Sequence, residues 1–305
     1  MRDTATASAT TATAKAVLRG SKWELPALRA PARRLSFAKL FVGLAALVIA
    51  FIALCAIAPQ WVAPYSPTEM MADSLMQAPS AAHPFGTDYF GRDVYSVVVY
   101  GARDSLFIGL LSVLVGGLIG GTIGALSGYI GGWFDAAFMR VVDVLMTIPG
   151  ILLALAIAAA MGPSMTNIVL AVAAASIPGY ARVMRSQTMS INGRPFIAAA
   201  RSIGVTNFGI FWRHVLPNSL SPMLVMSTIG IGTSILAGSG LSFLGLGLLR
   251  EIPDWGTLLS QGRGYLTVAW WICTFPGLAI TMLVLSVNII GDRLRDELDP
   301  KKKDN

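Results

Sequence analysis

Charge is what this 305-residue chain has least of: Asp, Glu, Lys and Arg make up 13% of it, while 54% is hydrophobic. Soluble domains carry about 25% charged residues. The shortage, with a mean hydropathy of +0.65, excludes a water-soluble enzyme and a disordered chain. Histidine and cysteine are equally scarce, at two each. Two cysteines build neither a disulfide framework nor a zinc site; Cys55 and Cys273 lie in apolar runs and read as small apolar filler. His83 and His214 are far apart, so no HExxH metal pair exists. None of the six lysines (Lys15, Lys22, Lys39, Lys301, Lys302, Lys303) follows a glycine, which excludes a phosphate-binding P-loop and leaves nucleotide hydrolysis to other chains. The net charge of +7 comes in short clusters between long uncharged runs. That is the pattern of membrane topology, not of a nucleic-acid-binding surface.

What is present is apolar length. Five stretches carry no Asp, Glu, Lys or Arg: Leu40–Thr68, Ser105–Phe134, Val144–Ala181, His214–Leu249 and Gly264–Gly291. A bilayer crossing takes about 20 mostly apolar residues, and the third stretch holds two, broken at Met161-Gly162-Pro163-Ser164. The expected spans are Phe41–Ala58, Ser105–Ser127, Ala136–Ala160, Thr166–Tyr180, Ser219–Gly240 and Trp270–Gly291. With the N-terminus inside, nineteen Lys and Arg fall on the inner side and four outside, so both termini are expected in the cytoplasm. Residues 1–40 form a Thr/Ala-rich tail with a basic flank and the composition of a disordered segment. Residues 41–58 form a first anchor, 59–104 an extracytoplasmic loop domain, 105–292 a five-helix core and 293–305 a basic cytoplasmic tail. Ala56-Ile57-Ala58 has the spacing of a signal cleavage site, but the long tail before it and Pro59 after it favour an uncleaved anchor.

Intramembrane carboxylates, which ion-coupled carriers use, are missing from these runs. Arg140 and Asp143, spaced i,i+3 at the start of the third span, are placed to pair on one helix face, either as an interfacial ion pair or in gating. Gly116, Gly120, Gly124 and Gly128 form a small-residue ridge for close helix packing, within the chain or at a subunit seam. Ser176, Ser227, Thr228, Thr233, Ser234 and Ser239 are candidates to line a pathway, or to bond to their own helix backbone. In the outer loop, Asp88, Arg92 and Asp93 are candidate partner contacts, with bonding inside the loop as the alternative.

The cytoplasmic loop 182–217 carries five arginines and no acid. Within it, Arg194 and Pro195 open a short helix that Gly204 stops. Phe196, Ala199, Ala200 and Ile203 fall on one face of this helix at i, i+3, i+4 and i+7. The pattern suits docking on a soluble partner or lying on anionic lipid.

Ala198-Ala199-Ala200, three residues with Arg201 first, Gly204, nine residues and then His214-Val215-Leu216-Pro217 resembles a known motif. It is the E-A-A-x3-G-x9-I-x-L-P signature of bacterial ABC importer permeases. His83-Pro84-Phe85-Gly86-Thr87-Asp88 with Gly91-Arg92-Asp93, Gly128–Asp135, Ser242–Gly247, Thr274–Ile280 and Gly291–Asp296 are similar to segments of the C-type subunits of dipeptide and oligopeptide (peptide/nickel) importers. The likeness runs from about Phe41 to Pro300. It departs at Ala198, which replaces the signature glutamate, and at Leu248–Trp255, where a proline-rich stretch is usual.

The resemblance implies an all-α, six-helix type I importer permease in the bacterial inner membrane. It would enclose a pathway with a second homologous permease. Two cytoplasmic ATPases, which bind ATP and Mg, would dock at Arg194–Gly204 with Leu216 and Pro217 at the loop's end. An extracytoplasmic binding protein would deliver short peptides, glutathione-like ones included. Nickel chelates or another small solute are the alternative cargo, and a self-sufficient channel or carrier is the competing class. The resemblance implies no cofactor in the chain itself and no nucleic-acid partner.

Overall fold

The computed structural model describes residues 33–247 and 250–298. The expected disordered tail falls largely outside these residues, as do Leu248, Leu249 and the end of the basic tail. The chain divides into two units, Met1–Leu40 and Phe41–Asn305; of the first, only the opening turns of α1 (Arg33–Ile57) are described.

Helix α2 (Val94–Ile130) begins eleven residues before the expected span. Asp93 explains this: its carboxylate accepts from the Ser96 amide at 2.8 Å, satisfying an N-terminal donor that would otherwise lack a partner. Gly131, at φ 69°, ends the helix. The expected third span, Ala136–Ala160, is not one helix. It is α3 (Gly132–Met146) and α4 (Gly150–Met161), bent by 90° at Thr147-Ile148-Pro149. The residue before a proline is disfavoured in the helical region, so a break just ahead of Pro149 is the cheap place to turn. Among the described residues there are thus five helices long and apolar enough to cross a membrane, or six with the bent pair counted as one span.

Gly162 (φ 82°) turns the chain into α5 (Met165–Asn192) at the expected Gly-Pro break. The Asn167 amide closes that turn on the carbonyls of Met161 and Gly162 at 2.8 and 2.9 Å. Helix α5 runs twelve residues beyond the expected boundary at Tyr180, into the arginine-bearing loop. Short helices α6 (Pro195–Ser202) and α7 (Asn207–Ile210) follow. A widened turn at Phe211–Val215 leads into α8 (Leu216–Leu241), with Pro217 in its first turn. Helices α9 (Trp255–Gly262) and α10 (Trp271–Leu298) complete the fold.

Three apolar clusters hold the second unit together. An outer one joins Ile52 and Cys55 to the start of α2, Ile235 of α8, α9 and α10 as far as Val287. A middle one joins α2, α4, α5 and Leu241. An inner one joins the end of α2 and α5 to the cytoplasmic loop and the start of α8.

The glycine ridge lies along the α2–α5 contact. A Cβ on Gly120 would stand 2.5 Å from the Ile177 carbonyl, on Gly124 2.2 Å from that of Ala181, and on Gly128 2.6 Å from that of Arg185. On Gly116 it would meet Ser176 Oγ at 2.1 Å. This close approach is made inside one chain, so the ridge is occupied by α5 and is not a free seam for another subunit. Gly121 turns instead toward Met223 of α8, and Gly117 lies between Ser227 of α8 and Tyr180 of α5.

Candidate coupling loop and translocation groove

The cytoplasmic loop is anchored before it is displayed. Arg194 is the N-terminal flank of α6 and Pro195 its first residue. At the other end the Gly204 amide donates to Arg201 O at 3.1 Å and the Val205 amide to Ala200 O at 3.1 Å, with Gly204 at φ 84°. These two bonds form the left-handed glycine stop that satisfies the last carbonyls of a helix.

Ile197 and Ala200 are the buried residues of α6, set among Ile191, Ile210 and Phe211. The tyrosine at the end of α2 clamps the loop: Tyr129 Oη donates to Asn207 O at 2.7 Å, and its ring lies 5.0 Å from Phe211. Of the expected face, only Ala200 turns inward. Phe196 is 43% exposed, Ile203 81%, and Ala199 is exposed with them. Phe208 and Trp212 extend this uncovered apolar surface. Ala198 is exposed too, and its carbonyl accepts from Ser202 Oγ at 3.1 Å. Arg201 is held by Asn192 Oδ1 at 2.8 Å. Leu216 is half-buried and Pro217 exposed at the start of α8. Ile197 and Tyr129 were not foreseen; the single apolar stripe drew attention to the display face, not to the anchors.

Between α5, α8 and the α3–α4 bend lies a cavity of about 500 Å³. Ser176, Thr233 and Ser234 of the candidate pathway residues line it, with Gly179, Gly230 and Pro149. It shares Met226 and Ile229 with a second cavity of about 630 Å³ toward the cytoplasmic side, whose polar lining is Gln187, Arg194, Asn218, Ser221 and Arg295. The two form one groove along α5 and α8. The hydroxyls of Ser176 and Thr233 donate to their own helix at 2.8 and 3.0 Å. Ser176 Oγ lies against Gly116 of α2, whereas Thr233 is exposed.

The other three candidates stand elsewhere. Ser227 lines a separate apolar cavity against α2. Thr228 faces Gly291 of α10, and Ser239 packs on Gly256 of α9.

Asp88, Arg92 and Asp93 are buried and bond within the outer segment, so they are not presented as surface contacts. Asp88 accepts from the amides of Phe90 and Arg92 at 2.8 and 2.9 Å and from Arg92 Nε at 2.7 Å. Arg92 Nη1 reaches Glu251 O at 3.0 Å, and Asp93 also meets His83 Nδ1 at 3.0 Å. Phe85 stacks on Phe275 at 3.9 Å, and Trp271 Nε1 donates to Thr87 O at 2.9 Å. The motif therefore ties residues 65–93 to α2, α10 and the loop at residue 251. Tyr89, whose phenol is pushed up by burial, stays neutral and stacks on Tyr265 at 5.1 Å.

The expected Arg140–Asp143 pair is absent among the described residues. Asp143 instead meets Arg182, and Asp135 meets Arg185, both across to α5. The crossing of α3 against α5 brings these arginines within reach, which local spacing along α3 could not reveal.

Comparison with known proteins decides the family. Residues 120–304 match the family described as binding-protein-dependent transport system inner membrane component. The chain belongs to that family. The permease is 44% identical over 260 residues to the glutathione transport system permease protein GsiD of Escherichia coli O6:K15:H31 (strain 536 / UPEC), covering 85% of this chain and 86% of the relative. It is 46% identical over the same length to the protein of that name from Shigella flexneri serotype 5b (strain 8401). In fold, the permease is similar to a chain of the inward-facing MetNI methionine ABC transporter, with TM-score 0.55 at 18% identity, over 67% of this chain and 96% of that one. It is thus a multi-pass membrane subunit of an importer that works with ATPase and substrate-binding components.

Proposed function

We propose that the permease is one of two membrane-spanning halves of an ATP-driven importer of short peptides, glutathione among them. A second homologous permease supplies the other wall of the α5–α8 groove. Two cytoplasmic ATPases each grip one coupling helix, here α6, and an extracytoplasmic binding protein delivers cargo to the outer segment of the inner membrane complex. The observation that carries this reading is α6 itself: Ile197 and Ala200 fix it to the core while Phe196, Ala199 and Ile203 face outward as a compact apolar knob. Nucleotide-driven closure of the ATPases moves α6, and the spans rock between inward- and outward-open states as packed, bistable units. The relatives named for glutathione transport support the cargo. The small hydroxyls and glycines of the groove suit a peptide that must pass without being held.

The test is co-purification from the native membrane in mild detergent. A second permease and two P-loop ATPases are expected; elution of the chain alone, still active, overturns the reading. Two substitutions sharpen it. Ala199→Asp puts a charge on the knob, and Gly204→Val forces a β-branched residue into the left-handed region, at about 1–3 kcal/mol. Both should reduce peptide-stimulated ATP hydrolysis at least tenfold while membrane insertion is unchanged. Thr233→Trp, on the groove wall, should cut peptide uptake by a similar factor with the ATPases still bound. Normal uptake in proteoliposomes would remove Thr233 from the pathway.

A further inference from the structure

We propose that the ion pairs Asp135–Arg185 and Asp143–Arg182 form a strut that carries the movement of the coupling helix into the bent span. The proposal rests on the importer reading above. Helix α3 has one residue buried within this chain, Val142, so apolar packing inside the chain does little to fix it. Its other attachments are polar and specific. Arg185 addresses both oxygens of Asp135 with Nε and Nη2, and Ser127 Oγ of α2 donates to the same carboxylate at 2.9 Å. Eight residues further along α3, Asp143 meets Arg182.

A two-pronged arginine–carboxylate contact fixes orientation as well as distance. Two pairs spaced along α3 resist rotation about either one alone. The partner helix, α5, continues into α6 through only Gly193 and Arg194. At its far end α3 passes into the 90° bend, where Leu145, Met146, Ile148 and Pro149 line the groove. A displacement of α6 that moves the inner end of α5 therefore moves α3 with it, and shifts the groove wall at the bend. Asp135 and Asp143 are positioning residues in this scheme; neither touches cargo.

The test uses the complete importer in proteoliposomes, with its ATPases, partner permease and binding protein, reading both peptide uptake and ATP hydrolysis. Asp135→Asn should lower peptide molecules imported per ATP about tenfold while ATP hydrolysis stays within twofold. The exchanged pair, Asp135→Arg with Arg185→Asp, should recover at least half of the lost coupling. Asp143→Asn breaks the exposed pair, which threatens folding least, and should lower the ratio about threefold.

Spin labels on Ala137→Cys in α3 and Ser202→Cys in α6, with Cys55 and Cys273 replaced by alanine, supply a readout that simple stability does not move. Their separation should stay constant through the nucleotide cycle in the otherwise native chain and change by several ångströms in Asp135→Asn. Unaltered coupling in both asparagine variants overturns the strut. So does uptake that falls only in step with hydrolysis and complex recovery, or a label separation that already varies with the acid in place. If the unaltered complex imports no peptide under ATP, the importer reading fails first and the strut with it.

Discussion

Gly124→Leu should insert into the membrane and fail to fold: recovery of monodisperse chain in mild detergent falls more than tenfold. The reason is geometric. A Cβ at this position stands 2.2 Å from the Ala181 carbonyl oxygen and 2.9 Å from the Arg185 amide, both backbone atoms of α5. A flexible side chain could rotate aside; a helix backbone can relieve the overlap only by separating from α2. Overpacking in a close-packed interior costs about 1–3 kcal/mol and at times more. Here the displacement would propagate to Gly120 and Gly128, which meet the same helix. Membrane helices associate through close packing, not through hydrophobic exclusion, so losing the close approach removes the main force between α2 and α5. Gly117→Ala is the control, because its nearest neighbour is 3.9 Å away. Matching thermal midpoints for Gly124→Leu and Gly117→Ala would refute the assigned contact.

Arg92→Ala should release the outer segment. It strands the Asp88 carboxylate, 1% exposed, without its cationic partner, and breaking a buried pair on one side costs about 3–5 kcal/mol. The contact to Glu251 O disappears with it, so the segment loses its bond to the loop before α9. Amide hydrogen exchange across residues 65–93 should accelerate by at least a hundredfold, while the amides in the middle of α5 keep their protection. Unchanged exchange in the outer segment would mean that the aromatic contacts, Phe85 on Phe275 and Tyr89 on Tyr265, hold it unaided. Cargo delivery should fail in the same variant even though the side chain does not face the delivery surface.

The membrane pattern was the most legible part of the chain, because the bilayer imposes length and lack of charge directly on the sequence. Helix ends were less so. Charge marks where the hydrocarbon stops, whereas a helix stops where its backbone runs out of partners. Helix α2 accordingly starts at the Asp93 cap, and α5 continues past Arg182 and Arg185 to Gly193. The bend at residues 147–149 lay inside an uncharged run where Pro149 was the one signal. For the loop, spacing located α6 and its glycine stop but not which apolar residues point inward, since that depends on Tyr129 and Phe211 reaching it from other elements. The hydroxyl candidates divided for a similar reason. Ser176 and Ser234 converge on one cavity only because α5 and α8 lie side by side, a neighbourhood no local pattern encodes. For Asp88, Arg92 and Asp93 the sequence left partner contact and bonding inside the loop both open, and the structure takes the second, because the turn at 88–92 folds Arg92 back onto Asp88.

Helix α2 has 37 residues without a break, which at 1.5 Å per residue is about 55 Å. The hydrocarbon layer is about 30 Å thick. The same rod therefore stands in both aqueous compartments, capped outside by Asp93 in the ionic knot and pinned inside by Tyr129 to the loop that precedes α8. A tilt of about 10° about its midpoint displaces each tip by about 5 Å in opposite directions, as for any rigid rod of this length. In the proposed importer, pressure applied where cargo would arrive is thus felt, within one covalent lever and without any relay of side chains, at the loop where the ATPases would dock.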